Sequence, residues 1–168
     1  MARDDVPWAT LLADPATRRR YEAKILRRGP GRCEWWLGGI SDSGHGKMRA
    51  GSGPASRVVS VHVLGFGLAY GLEALQAAEL VRHRCDSPSC QQPAHWLPGT
   101  RADNVLDYAS RSRLAGHALA DTRGAAGRAV AIRDAIKAAL AADEDVEAAI
   151  ERAIIAGQPG GAWQDGLW

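Results

Sequence analysis

The sequence predicts an α+β fold, with short strands and turns in the first two-thirds of the chain and helices in the last third. Three observations carry this. Residues 33–37, 47–49, 57–61 and 80–83 have strand character, but each run is only three to five residues long. Much of the glycine (19 residues) falls between Gly29 and Gly71, which marks a loop-rich region with a small core. Beyond residue 124, Ala129, Ile132, Ile136 and Leu140, and then Val146, Ile150 and Ile154, recur at helical spacing.

The elements follow in order. Asp14-Pro15 starts a helix, with proline at its first position, that runs to about residue 28 and stops at Gly29-Pro30. Arg18, Arg19, Arg20, Arg27 and Arg28 make it basic, which suits a solvated face as well as phosphate contact. Residues 62–70 are apolar and form a short helix closed by Gly71. After strand 80–83 comes a Cys- and Pro-containing loop at 84–92, then a second short strand at 94–97. Gly99-Thr100 opens a helix, with Thr100 as its cap and Asp103 completing a variant capping box. Its Ala102, Val105, Leu106 and Ala109 form the face expected to be buried; Asn104, Asp107, Tyr108 and Arg111 lie opposite. Residues 114–124 read as a linker. A helical hairpin follows, its second helix starting at Asp143 with an acidic first turn. The organisation is thus a domain over 1–113 and a linker with a helical extension over 114–168.

No apolar run approaches the roughly 18 residues of a membrane span. The N-terminus is charged and polar, so a cytoplasmic protein is expected. In that compartment three cysteines argue against a disulfide framework and for a metal. Residues 1–120 carry 16 Lys/Arg against 11 Asp/Glu, a net +5; residues 121–168 carry 5 against 8, a net −3. The first part suits a polyanion, and the acidic end suits packing or association.

The most informative stretch is His83-x-Cys85-x4-Cys90-x4-His95. Thiolates and imidazoles at this spacing are tetrahedral zinc ligands. Cys85, Cys90 and His95 make three, and structural zinc takes four. Cys33, about fifty residues upstream, is the expected fourth; His83 competes for the place, and Cys33 could instead be a small buried residue.

The run from His83 through Cys85, Cys90 and His95 to Gly99-Thr100-Arg101-Ala102-Asp103-Asn104 resembles the zinc-binding HNH endonucleases common in phages. It is also similar to the His-Cys box homing endonucleases. Cys33-Glu34-Trp35-Trp36, Gly44-His45-Gly46-Lys47 and Val61-His62-Val63 resemble the same pattern more loosely. The resemblance implies a ββα-metal nuclease core over about 80–113, stapled by zinc, in a chain that cuts DNA inside a host cell.

The resemblance also implies roles. His83 serves as general base. Asn104 offers its amide oxygen to a catalytic Mg²⁺ or Mn²⁺, because a zinc with four protein ligands has no open position. Arg82 and Arg84 flank His83, so the second acidic or histidine ligand of many HNH enzymes is absent; the single-asparagine arrangement fits the His-Cys box type. Asp103 or Asp107 could add a ligand, and Asp103 also reads as a cap. His62 has two readings, one near the active centre orienting phosphate or water, the other a satisfied core histidine. Lys47, Arg49 and Arg57 are candidates for contact with double-stranded DNA, Arg111 and Arg113 for holding its backbone. The C-terminal hairpin either packs on the core or pairs two chains into a homodimer. The competing reading of the whole chain is a zinc-binding DNA- or protein-interaction module without catalysis.

Overall fold

A computed structural model describes residues 6–111 and 116–159. Arg113 lies outside the described residues. The protein is a mixed α+β structure with short antiparallel strands. It begins with α1 (Trp8–Ala13) and α2 (Pro15–Glu22), followed by β1 (Ile25–Leu26), β2 (Trp35–Trp36), β3 (Gly39–Ile40), β4 (Gly46–Ala50) and β5 (Arg57–Ser60). Next come α3 (Val61–Ala77), β6 (Leu80–His83), β7 (Trp96–Gly99) and α4 (Arg101–Arg111). The chain closes with α5 (Gly124–Ala142) and α6 (Val146–Ile155). The strands pair as β1-β2, β3-β4-β5 and β6-β7.

Successive strand residues point to opposite faces, and β2 makes this decisive. Trp36 packs with Leu11, Tyr21, Met48, Val61 and Leu64 in one core. Its neighbour Trp35 packs with Ile132, Ile136 and Ile150 in another. The C-terminal hairpin therefore turns its apolar stripe onto β2 of its own chain. Arg28 reinforces this by pairing with Glu147. A third cluster of Phe66, Leu75, Val81 and Trp96 joins α3 to the β6-β7 hairpin.

The helix expected from Asp14 to about residue 28 is shorter. Asp14 caps it, accepting from the Ala16 and Thr17 amides at 3.1 Å each. It ends at Glu22 because Ile25 and Leu26 pair with Trp36 and Trp35 as a strand. Arg27 and Arg28 therefore leave the basic helix, and Arg27 pairs with Glu34. The helix expected to close at Gly71 breaks there, at φ +91°, and then resumes to Ala77. Asp143 ends α5 in a left-handed conformation (φ 54°), and Asp145 caps α6 instead. Leu140, expected in the apolar stripe, is exposed.

The larger correction concerns α4. Val105 and Leu106, expected to be buried, are 65% and 67% exposed. The helix is attached through charge instead. Asp107 pairs with Arg82 of β6 and, at 2.8 Å, with Arg111. Arg111 also reaches Asp86 at 3.1 Å and donates to the Arg84 carbonyl at 3.1 Å. Arg82 on β6 thus meets the Asp107 and Arg111 face of α4, and Val105 and Leu106 are turned to solvent. The capping box at the head of α4 forms as expected, the Thr100 amide donating to Asp103 at 2.8 Å and the Asp103 amide to the Thr100 hydroxyl at 3.2 Å.

Among the described residues, no helix is long and apolar enough to cross a membrane. The docking of the hairpin on Trp35 is testable. Ile136→Ala removes a fully buried side chain from that contact and should lower stability by about 2–5 kcal/mol in denaturant titration. A loss under about 0.5 kcal/mol, the range of surface changes, contradicts the packing.

Candidate metal centre and adjoining pocket

Cys33, Cys85, Cys90 and His95 form a cluster that could hold a metal such as zinc. Their ligand atoms all lie within 4.8 Å of one another. His95 Nδ1 is 3.7 Å from Cys33 Sγ and 3.5 Å from Cys90 Sγ. The chain builds this locally. The Cys90 amide donates to the Ser87 carbonyl at 2.9 Å, and Asp86 takes a left-handed φ of 48°, which folds the loop into a knuckle. An isolated bridge between Trp35 and Cys90 brings the segment carrying Cys33 alongside. The Gln92 amide points at Cys90 Sγ (3.4 Å). Hydrogen bonds from the Cys85 and Cys90 thiols, helped by Arg28, hold Cys33 down to about 4, while the same contacts push Cys90 up. The donor set fits zinc, which would be closed by four protein ligands.

His83 stands outside this cluster. Its Nε2 lies 3.1 Å from the Cys90 carbonyl. A carbonyl only accepts, so Nε2 carries the hydrogen and Nδ1 is left as the basic nitrogen. Burial brings His83 down to about 4, so the ring is neutral near pH 7. Trp96 Nε1 and Gln91 Nε2 donate to the same carbonyl, at 3.3 and 3.0 Å. Gln91 is fully buried and accepts from the Tyr21 hydroxyl at 3.1 Å. This support beneath the cluster has no signature in spacing or composition.

Beside the centre lies a cavity of about 520 Å³, lined among others by His45, Lys47, His62, His83, Asn104 and Tyr108. His83, His62 and Asn104, far apart in sequence, thus share one cavity. His62 is buried in the first turn of α3, its ring centroid 4.9 Å from that of His83. Burial, then the two neighbouring imidazoles, hold it well below the ordinary histidine range. Lys47 donates to Ser60 Oγ at 2.7 Å. His45 was not singled out in the sequence, yet its ring lies 4.7 Å from His62 and 6.0 Å from His83. The signal that could have found it is Gly44. With φ +81° and a virtual Cβ only 2.7 Å from the Ala125 carbonyl, the position needs glycine, and the tight turn carries His45 inward.

The other basic candidates are scattered. Arg49 is exposed and donates to Ser56 Oγ at 3.2 Å; Arg57 bonds the Pro54 carbonyl at 2.8 Å. Arg111 is half-buried in the ionic attachment of α4.

No family model, curated protein or solved structure matches this chain.

The cluster generates one prediction. Cys33→Ser should reduce bound zinc, measured by metal analysis after dialysis, and should lower the melting temperature, as chelator treatment of the native chain should. Unchanged zinc content and stability would remove Cys33 from the centre.

Proposed function

We propose that this chain is a metal-dependent DNA endonuclease of the HNH (ββα-metal) type, with His83 as general base and Asn104 as ligand of a catalytic cation. The observation that carries this reading is the state of His83. Its Nε2 hydrogen is committed to the Cys90 carbonyl, so Nδ1 is the proton acceptor on a side chain that lines the same cavity as Asn104 and Lys47. The succession of β6, β7 and α4, with the ligand-bearing loop between the strands, agrees with the ββα order.

In this mechanism water attacks the phosphorus of a DNA phosphodiester while His83 Nδ1 takes its proton, and the P–O3′ bond breaks as the 3′-oxygen leaves and is protonated by solvent. The Lys47 ammonium stands where it can offset the charge that builds on the phosphate oxygens. Asn104 would hold Mg²⁺ or Mn²⁺ through its amide oxygen; a bound hard cation supplies charge stabilisation at the transferred phosphoryl group and the leaving oxygen. Zinc at the Cys33, Cys85, Cys90 and His95 cluster would hold the fold. It would position the base indirectly, because Cys90 offers both a ligand sulfur and the carbonyl that orients His83. Double-stranded DNA is the partner, with Arg49 and Arg57 as outlying phosphate contacts.

Plasmid cleavage in Mg²⁺ or Mn²⁺ tests the reading. His83→Ala should slow nicking by about 10²–10⁴-fold, the usual contribution of a general base, with zinc content intact. Wild-type nicking by this variant refutes the assignment of the base. Asn104→Ala should shift or abolish the divalent-ion titration of the rate, and an unaltered titration counts against Asn104 as ligand. If the native chain binds DNA but never cuts it with either ion, the non-catalytic zinc module is the better description.

A further inference from the structure

We infer that the face of α4 bearing Arg101, Asn104 and Tyr108 binds a DNA strand at an unpaired nucleotide, whose base stacks on Tyr108.

The face follows from helical spacing. Positions 101, 104 and 108 are three and four residues apart, so their side chains stand in one row. At 1.5 Å per residue the row is roughly 10 Å long. Its chemistry changes along its length, from a guanidinium to an amide to a phenol ring. Asn104 and Tyr108 line the cavity that holds His83, and Lys47 lines the same cavity from β4. Asp107 and Arg111 occupy the neighbouring face of α4 and tether it to Arg82 and Asp86.

Two members of the row are little used by the fold. The Arg101 side chain is 91% exposed and reaches Glu79 only at 3.9 Å, a pair that contributes little. Tyr108 is 59% exposed, and among the described residues its hydroxyl makes no hydrogen bond and its ring meets no other aromatic ring. The carboxylates of the cavity are already engaged, Asp86 by Arg111 and His117, Glu79 by Arg101. A strand lying along the row thus meets Arg101 and Lys47 with its phosphates and a bare aromatic ring with a base.

A cationic track beside an aromatic platform is the arrangement that binds unpaired strands, because every base has a face to stack. In a continuous duplex both faces of each base are covered by its neighbours. Tyr108 therefore reaches a base face only where a nucleotide is unpaired. The inference rests on the nuclease reading for the identity of the strand and narrows its substrate class: duplex DNA with an unpaired nucleotide beside the scissile phosphate, in preference to fully paired DNA.

The experiment uses the full zinc-loaded chain and two short labelled duplexes of one sequence, the first fully paired, the second with a single unpaired thymidine at its centre. Binding is read by fluorescence anisotropy without added Mg²⁺ or Mn²⁺. The second duplex should bind about fivefold tighter or more, the usual range for stacking one base on an aromatic side chain. Tyr108→Ala should abolish that preference and Tyr108→Phe should keep it. Arg101→Ala should weaken both duplexes alike and lower the salt dependence by about one phosphate contact. Equal affinity of the native chain for the two duplexes, or a preference that survives Tyr108→Ala, overturns the inference. Added Mg²⁺ or Mn²⁺ then separates the two readings. A chain that prefers the unpaired site through Tyr108 but never cuts it defeats the nuclease reading alone, and one that cuts both duplexes equally, with or without Tyr108, defeats the stacking alone.

Discussion

The constraint on which the rest depends is the position of Cys90. Its sulfur belongs to the ligand cluster, its amide closes the knuckle on Ser87, and its carbonyl receives the hydrogens of His83, Gln91 and Trp96. It also bridges to Trp35, which ties the cluster to the strand shared by two cores. A metal held by the cluster would therefore do more than close a loop. It would fix the carbonyl that decides which nitrogen of His83 is basic. The chemistry proposed for the cavity and the stability of the loop beside it rest on the same residue.

Around that centre the chain uses two kinds of attachment. The N-terminal segments, α3 and the C-terminal hairpin are held by apolar burial, with consecutive tryptophans serving different cores. The helix carrying Asn104 is held by ion pairs among Arg82, Asp107, Arg111 and Asp86. Exposed pairs contribute little; these are half-buried and connected, with Arg111 serving Asp86, Asp107 and the Arg84 carbonyl and Asp107 serving both arginines. The position of Asn104 over the cavity follows from this network.

Much of this was legible in the sequence. The Cys33, Cys85, Cys90 and His95 grouping followed from ligand chemistry and spacing; β6 lies over 80–83 as expected, while β7 begins at Trp96, two residues later than expected, because Pro93–His95 forms a helical turn. The capping box of Thr100 and Asp103 was local and so readable. What could not be read was any feature set by tertiary contact. Ile25 and Leu26 look helical until Trp35 and Trp36 offer them a strand to pair with. Val105 and Leu106 look like a core face until Asp107 and Arg111 are found to attach the helix by ion pairs. His45 was read only as part of the Gly44-His45-Gly46-Lys47 turn, and its place beside His62 and His83 depends on that turn meeting the first residues of α5.

The opposed side chains of Trp35 and Trp36 have a consequence for cooperativity. A strand with one indole in each of two cores cannot leave one core without withdrawing from the other. The hairpin and the N-terminal layer therefore share a single wall: losing the hairpin exposes Trp35, and losing the N-terminal layer exposes Trp36. Such a chain melts as one unit, although its sheets are small and separate. Regions expected to open early are those that do not touch this wall, foremost the charge-tethered helix α4.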